Sequence, residues 1–245
     1  MPGMYEHYKK GFHQEIYDEL LAMKDNIYEP RIYEEALLVI REIMRRARSN
    51  IELLIPRLQE MRYRFGEGFS DSPEEKAYWK QHAPIYKPPT QETSARIAAL
   101  EELTGSLPMS LKCWYEEVGT VNLIGLFPSN KLADGPVLDP LFVYSVEMAL
   151  TMVNRHINAN VWHRDPTLSL APDNYHKYGF SGAGAYAIRL PCEPFDAPLS
   201  IEMHNTTFVN YLRICFQWGG FPGLELGNQL SPDEFAFLTK DLFPF

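Results

Sequence analysis

Between Thr93 and Gly125 the chain sets out two short amphipathic helices and then a half-apolar strand, and no other stretch restricts the fold so tightly. Ile97, Leu100 and Leu103 share one helical face closed by Thr104-Gly105; after Leu107-Pro108, the residues Leu111, Trp114, Tyr115 and Val118 make a second face. Spacings of three and four residues define such a face. Glycine ends a helix because it adopts the left-handed conformation without strain, and proline is tolerated at a first turn, where its missing amide hydrogen has no partner to lose. Val121-Asn122-Leu123-Ile124-Gly125 then reads as strand. Two helices feeding a strand point to an α+β recognition scaffold. The segment holds no nucleophile signature, phosphate loop or metal-ligand set, so it points to binding rather than catalysis.

Further along, Leu141–Tyr144, Val161–His163, Leu168–Ala171 and Tyr186–Leu190 are short apolar runs separated by Pro, Asp and Gly, the pattern of strands joined by turns. Ser145 is placed to cap a helix over Val146–Asn154. Phe208, Tyr211, Leu212, Cys215 and Phe216 share a helical face that Gly219-Gly220 stops, and Ser231-Pro232-Asp233-Glu234 is a capping box for a last helix ending near Lys240. This order predicts an α+β fold with a mostly antiparallel sheet and helices packed on one face.

Upstream, apolar residues recur at Leu37, Ile40, Met44, Ala47, Ile51, Leu54, Leu58, Met61 and Phe65, which is one helix or two, with Pro56 predicting a kink or restart between Asn50 and Pro56. The other face carries Arg41, Arg45, Arg46, Arg48, Arg57, Arg62 and Arg64 among Glu42, Glu52 and Glu60. A mixed-sign face of this kind is solvated or pairs with acidic neighbours more readily than it reads nucleic acid. Its apolar stripe needs a cover, so the helix is expected to pack on the rest of the chain. The proline-rich connector Ser70–Pro89 puts a boundary near Thr90, giving an N-terminal helical segment and connector over 1–90 and an α+β domain over 91–245.

A chain of 245 residues buries a core without staples, and Cys113, Cys192 and Cys215 are odd in number and show no Cys-x-x-Cys spacing, so neither a disulfide framework nor a zinc ribbon is expected. The net charge of −9 disfavours nucleic acid and anionic membranes and favours basic protein surfaces. Met1–Gln14 lacks an apolar core, and no apolar run approaches the roughly 20 residues of a membrane span, so a cytoplasmic protein is expected.

Ile97-x-x-Leu100-Glu101, Leu107-Pro108, Trp114-Tyr115, Gly119–Gly125, Asp139-Pro140-Leu141 and Ala171-Pro172-Asp173 together resemble the SUKH superfamily of fungal cell-wall-synthesis regulators and bacterial toxin-immunity proteins. Ser181-Gly182, Tyr186, Leu190-Pro191 and the run Phe208-Val209-x-Tyr211-Leu212-Arg213 through Trp218-Gly219-Gly220-Phe221-Pro222 resemble its longer bacterial branch. The likeness spans about Thr93 to Pro222. It implies a domain that binds proteins without transforming a substrate, and its motifs are structural ones that name no partner.

His163-x-Asp165 with His204 and Arg213 downstream resembles the facial triad of iron-dependent oxygenases, but Asp165 precedes Pro166, where an aspartate ordinarily shapes a turn. Glu202-x-His204 suits two metal ligands on one strand face or an acid–base pair, or else belongs with Asn205-Thr206-Thr207 in capping the next helix. Ser181–Ala185 lacks the Gly-Lys-Ser/Thr of a phosphate cradle and reads as a loop leading into a strand. We therefore expect no catalytic residue, no metal and no cofactor. The expected partner is a protein, such as a cognate toxin, met by an aromatic and acidic surface for which Trp162, Asp173 and Tyr175 are the candidates.

Overall fold

The computed structural model describes residues 3–66, 74, 77, 84–128, 138–162, 166–178, 180, 184–227 and 230–245. Its helices are α1 (Met4–Lys9), α2 (His13–Ala22), α3 (Pro30–Glu60), α4 (Thr93–Thr104), α5 (Met109–Glu117), α6 (Val146–Asn158), α7 (Phe208–Gln217) and α8 (Pro232–Thr239). Its strands are β1 (Arg64–Phe65), β2 (Tyr86–Lys87), β3 (Thr120–Asn122), β4 (Gly125–Leu126), β5 (Phe142–Val143), β6 (Thr167–Pro172) and β7 (Ala185–Arg189). The fold is α+β, and every strand pair is antiparallel.

Among the described residues the pairing falls into three small sheets, β1-β4, β2-β3-β5 and β6-β7, and Tyr144 N donates to Leu170 O (2.7 Å) between the second and the third. The strand expected over Val121–Gly125 is broken in two. Asn122 Oδ1 accepts from Ile124 N at 3.0 Å, a local turn that diverts the backbone from its ladder. As a result β3 pairs with β2 and β5, while β4 pairs with β1.

Two sequence expectations need correction. The long helix neither breaks nor restarts at Pro56: α3 runs unbroken for 31 residues. Pro56 and Glu52 both face solvent, so the carbonyl deprived of its amide partner lies on the wet side of the helix. The strand expected over Val161–His163 is absent at Val161 and Trp162. Instead α6 continues to Asn158, and Val161 N and Trp162 N both reach back to His156 O; His163 itself lies outside the described residues.

The caps at Ser145 and Ser231 form as the sequence indicates, with Met148 N donating to Ser145 Oγ and the reciprocal Ser231–Glu234 box closed. Residues before and after Thr90 share one apolar core, with Tyr8, Tyr17, Ile40, Ile51 and Leu58 in the same cluster as Trp114, Phe142, Leu212 and Phe221. The connector is stitched in as well, since β2 pairs with β3 and a side chain on Gly119, at φ +93°, would overlap the Lys87 carbonyl. Arg41, Arg45, Arg46, Arg48 and Arg57 of α3 turn to this same chain. Arg41 and Arg45 lie against Glu116 and Glu117 of α5, Arg46 and Arg48 pair with Glu42 and Glu52, and Arg57 donates to Leu238 O and Lys240 O.

Candidate protein-binding surface

The segment that follows Ser200 turns the usual burial rule inside out. Ile201 is 49% and Met203 37% exposed, whereas Glu202 between them is 1% exposed and the His204 side chain 16%. The register is fixed on both sides. Ser200 N donates to Ala187 O (2.8 Å), holding the segment along β7, and Asn205 N donates to Glu202 O (3.1 Å), closing a turn. Ile201 at φ +69° and Asn205 at φ +50° bracket that turn. Left-handed backbone suits asparagine but is a strained conformation for a β-branched residue.

Glu202 is well supplied inside. Its Oε2 accepts from His204 N (2.9 Å), and its Oε1 faces His204 Nδ1 at 2.5 Å. The other ring nitrogen, Nε2, faces Glu225 Oε2 at 2.9 Å, on the 3₁₀ turn Pro222–Leu226. Burial works to lower the His204 pKa, but the two carboxylates outweigh it and hold the imidazole above its ordinary range. Both ring nitrogens of His204 therefore face carboxylate oxygens. Among the described residues no group of three or more His, Cys, Asp or Glu side chains is arranged to hold one. His163 and Asp165 lie outside the described residues.

The capping role foreseen for His204–Thr207 falls to a distant side chain. Thr207 makes no side-chain cap, and Asp196 Oδ2 receives Val209 N (3.0 Å) at the start of α7. The Thr207 hydroxyl lies 2.6 Å from the Tyr17 hydroxyl, which itself donates to Asp196 (2.7 Å). Asp196 is fully buried, and burial raises its pKa against the pull of these donors.

The three residues proposed from sequence fare differently. Asp173 is 1% exposed, and its carboxylate accepts from the amides of His176 (2.8 Å) and Gly184 (2.9 Å), so it shapes the loop between β6 and β7. Burial opposes ionisation there, but those amides and the His176 ring hold its pKa below the usual range. Trp162 is buried and precedes β6, whereas Asp173 and Tyr175 follow it. Tyr175 alone of the three is exposed, at 51%.

Tyr175 lies on one of several linked turns that carry exposed apolar residues. Phe180 N donates to Tyr175 O, and Asp173 ties this loop to Gly184, whose Cα side lies against Ile201 Cδ1. From Ile201 and Met203 the His204–Glu225 contact leads to Leu226. Tyr175, Phe180, Ile201, Met203 and Leu226 are each exposed along these linked turns, and exposed apolar residues gathered in one patch mark interaction surfaces. The sequence did carry a signal for its centre: Ile-Glu-Met-His alternates with period two, but periodicity alone does not tell which half faces inward.

Among the described residues recesses lie elsewhere, and two of them border charged side chains. One, of about 550 Å³, is bordered by His13, Arg213, Phe216 and the Leu242–Phe245 tail; the other, of about 610 Å³, by Lys24, Asp25 and the Pro191–Pro198 loop. Among the described residues no hydrogen bond joins a nucleophile to a base in either. Cys192, in the second, has its thiol pushed up to about 11 by burial, away from the thiolate that would react. Comparison of this chain with family models, curated proteins and solved structures gives no match.

Proposed function

We propose that this chain is a non-enzymatic, SUKH-like protein-binding module that acts in the cytoplasm as an immunity protein, binding and neutralising a toxin. The observation that carries the binding part is the inverted Ile201–His204 segment, which keeps a carboxylate inside and offers isoleucine and methionine to solvent beside Tyr175, Phe180 and Leu226. Apolar anchors within a polar rim are what a docking partner desolvates. The immunity part rests on the sequence resemblance and on the net charge of −9, which draws a basic partner. An adaptor role built on the arginines of α3 has less support, because Arg41, Arg45, Arg46, Arg48 and Arg57 are engaged within the chain.

The test is co-expression with the product of a neighbouring toxin-like gene, scored by growth rescue and co-purification. Rescue is expected for the native chain and for Leu38→Asp, an exposed change on α3. It is expected to be lost for Ile201→Asp combined with Met203→Asp. Rescue unaltered by that double change overturns the assigned surface, and absence of both rescue and complex overturns the immunity reading.

A further inference from the structure

We propose that the Glu202–His204–Glu225 chain is a protonation latch for the docking rim: the imidazolium ties the Ile201–Asn205 turn to the Pro222–Leu226 turn, and loss of its proton frees the two halves of the surface from each other. The proposal concerns regulation of the rim and rests on the docking reading given above.

Geometry supplies the reason. The Nδ1 and Nε2 atoms of His204 each face a carboxylate oxygen, at 2.5 and 2.9 Å. Only the doubly protonated ring has two N–H donors; a neutral imidazole would turn a lone pair toward one carboxylate. Glu202 is buried, Glu225 is partly exposed, and neither lies within ion-pair distance of a lysine or arginine among the described residues. The Tyr186 hydroxyl of β7 and the Cys215 thiol of α7 face Glu202, and burial raises the pKa of both, so neither supplies charge. Beyond them the buried Lys177 is held by Asp139. His204 is therefore the one cation that neutralises Glu202 among the described residues, and the one tie to Glu225.

Strain gives the latch something to hold. Ile201 sits at φ +69°, a conformation a β-branched residue leaves when its surroundings allow. On one side of the latch lie Ile201 and Met203; on the other Leu226 is 63% exposed, only two residues from the buried Leu224. Releasing the Glu225 contact lets the two apolar groups part, while Leu224 keeps the second turn anchored.

The sign of the pH dependence follows from the raised His204 pKa. The latch contributes fully below about 6.5, the ordinary histidine value, and its contribution is lost as pH rises through the higher value of the folded protein. A partner that needs both halves binds more weakly on the alkaline side.

The experiment uses the free, full-length protein, so its failure leaves the docking reading untouched, and failed growth rescue leaves the latch untouched. Histidine ring resonances are followed by NMR against pH, with His204→Gln identifying the signal. His204 is expected to titrate above the ordinary histidine value, and Glu225→Gln, a partly exposed change that keeps Glu202 in place, is expected to lower it. Amide exchange, corrected for intrinsic rate, is expected to rise in residues 201–205 and 222–226 as pH passes that titration, and to be raised at every pH in His204→Gln. Titration at or below the ordinary value, or equal exchange in the native chain and His204→Gln, overturns the latch. If His204→Gln does not fold, the His204 ring is assigned by triple-resonance NMR, and a Glu225→Gln variant that leaves its titration unshifted overturns the latch.

Discussion

Pro194–Ser200 and Ile201–His204 are neighbours in the chain, and each buries a carboxylate, but they treat their apolar residues in opposite ways. In the first, Phe195, Ala197 and Leu199 go inside together with Asp196. In the second, Glu202 goes inside while Ile201 and Met203 stay out. The carboxylates show why both arrangements are stable. Asp196 is met by the Tyr17 hydroxyl and the Ala197 and Val209 amides, and Glu202 by the His204 amide and ring. A buried carboxylate tolerates its site when donors surround it, and a slip of one residue would strip Glu202 of those donors in order to bury Ile201 and Met203. The first stretch thus obeys the demands of folding alone. The second forgoes on the order of 1 kcal/mol per half-exposed side chain to keep an apolar surface.

The largest effect expected on this contrast is from Asp196→Ala. It leaves Tyr17 and the first turn of α7 without their acceptor, a loss of about 3 kcal/mol, read as a lower midpoint in chemical denaturation. An unchanged midpoint would mean that the node is not what joins the N-terminal helices to α7. With Asp196→Asn the pH profile is informative. Burial raises the folded-state pKa of Asp196, so the stability it contributes is present below about 3.9 and lost as pH rises through the folded value. The native chain should therefore lose ground to Asp196→Asn over that window and run parallel to it above.

Tyr17→Phe removes one donor from the same node and should cost about 1 kcal/mol by the same measurement. A smaller change of opposite sign is expected on the other side of the contrast. Ile201→Gly relieves the left-handed strain and should raise stability by about 0.5–1 kcal/mol, while removing one apolar anchor from the rim. A loss of stability there would show that Ile201 is held by packing. Smallest of all, Met203→Ser should leave stability within about 0.5 kcal/mol, since the side chain already faces water. A clear loss on denaturation would mean that Met203 serves the fold.

Much of the architecture was legible because it depends on local rules. The Ser145 cap, the Ser231–Glu234 box, the Gly219-Gly220 stop and the apolar face of α7 are all short-range signals, and all are realised. The misreadings came where a local rule met a distant group. Pro56 did not interrupt α3 because its side of the helix is wet. Thr207 was not the cap of α7 because Asp196 reached the amide first. Asp173 looked like a surface charge, yet the Gly184 amide, eleven residues on, draws it inward.

The amino-acid order by itself determined the helices, the antiparallel habit of the strands and the identity of most core residues, because propensity, capping and periodicity act over a few residues. Only the tertiary structure decided which half of Ile201–His204 faces water, that Asp196 rather than a neighbour caps α7, and that Glu225 closes on His204. Each of those outcomes depends on donors and acceptors brought together from remote parts of the chain, and their cost or gain exists only once burial has removed water as the competing partner.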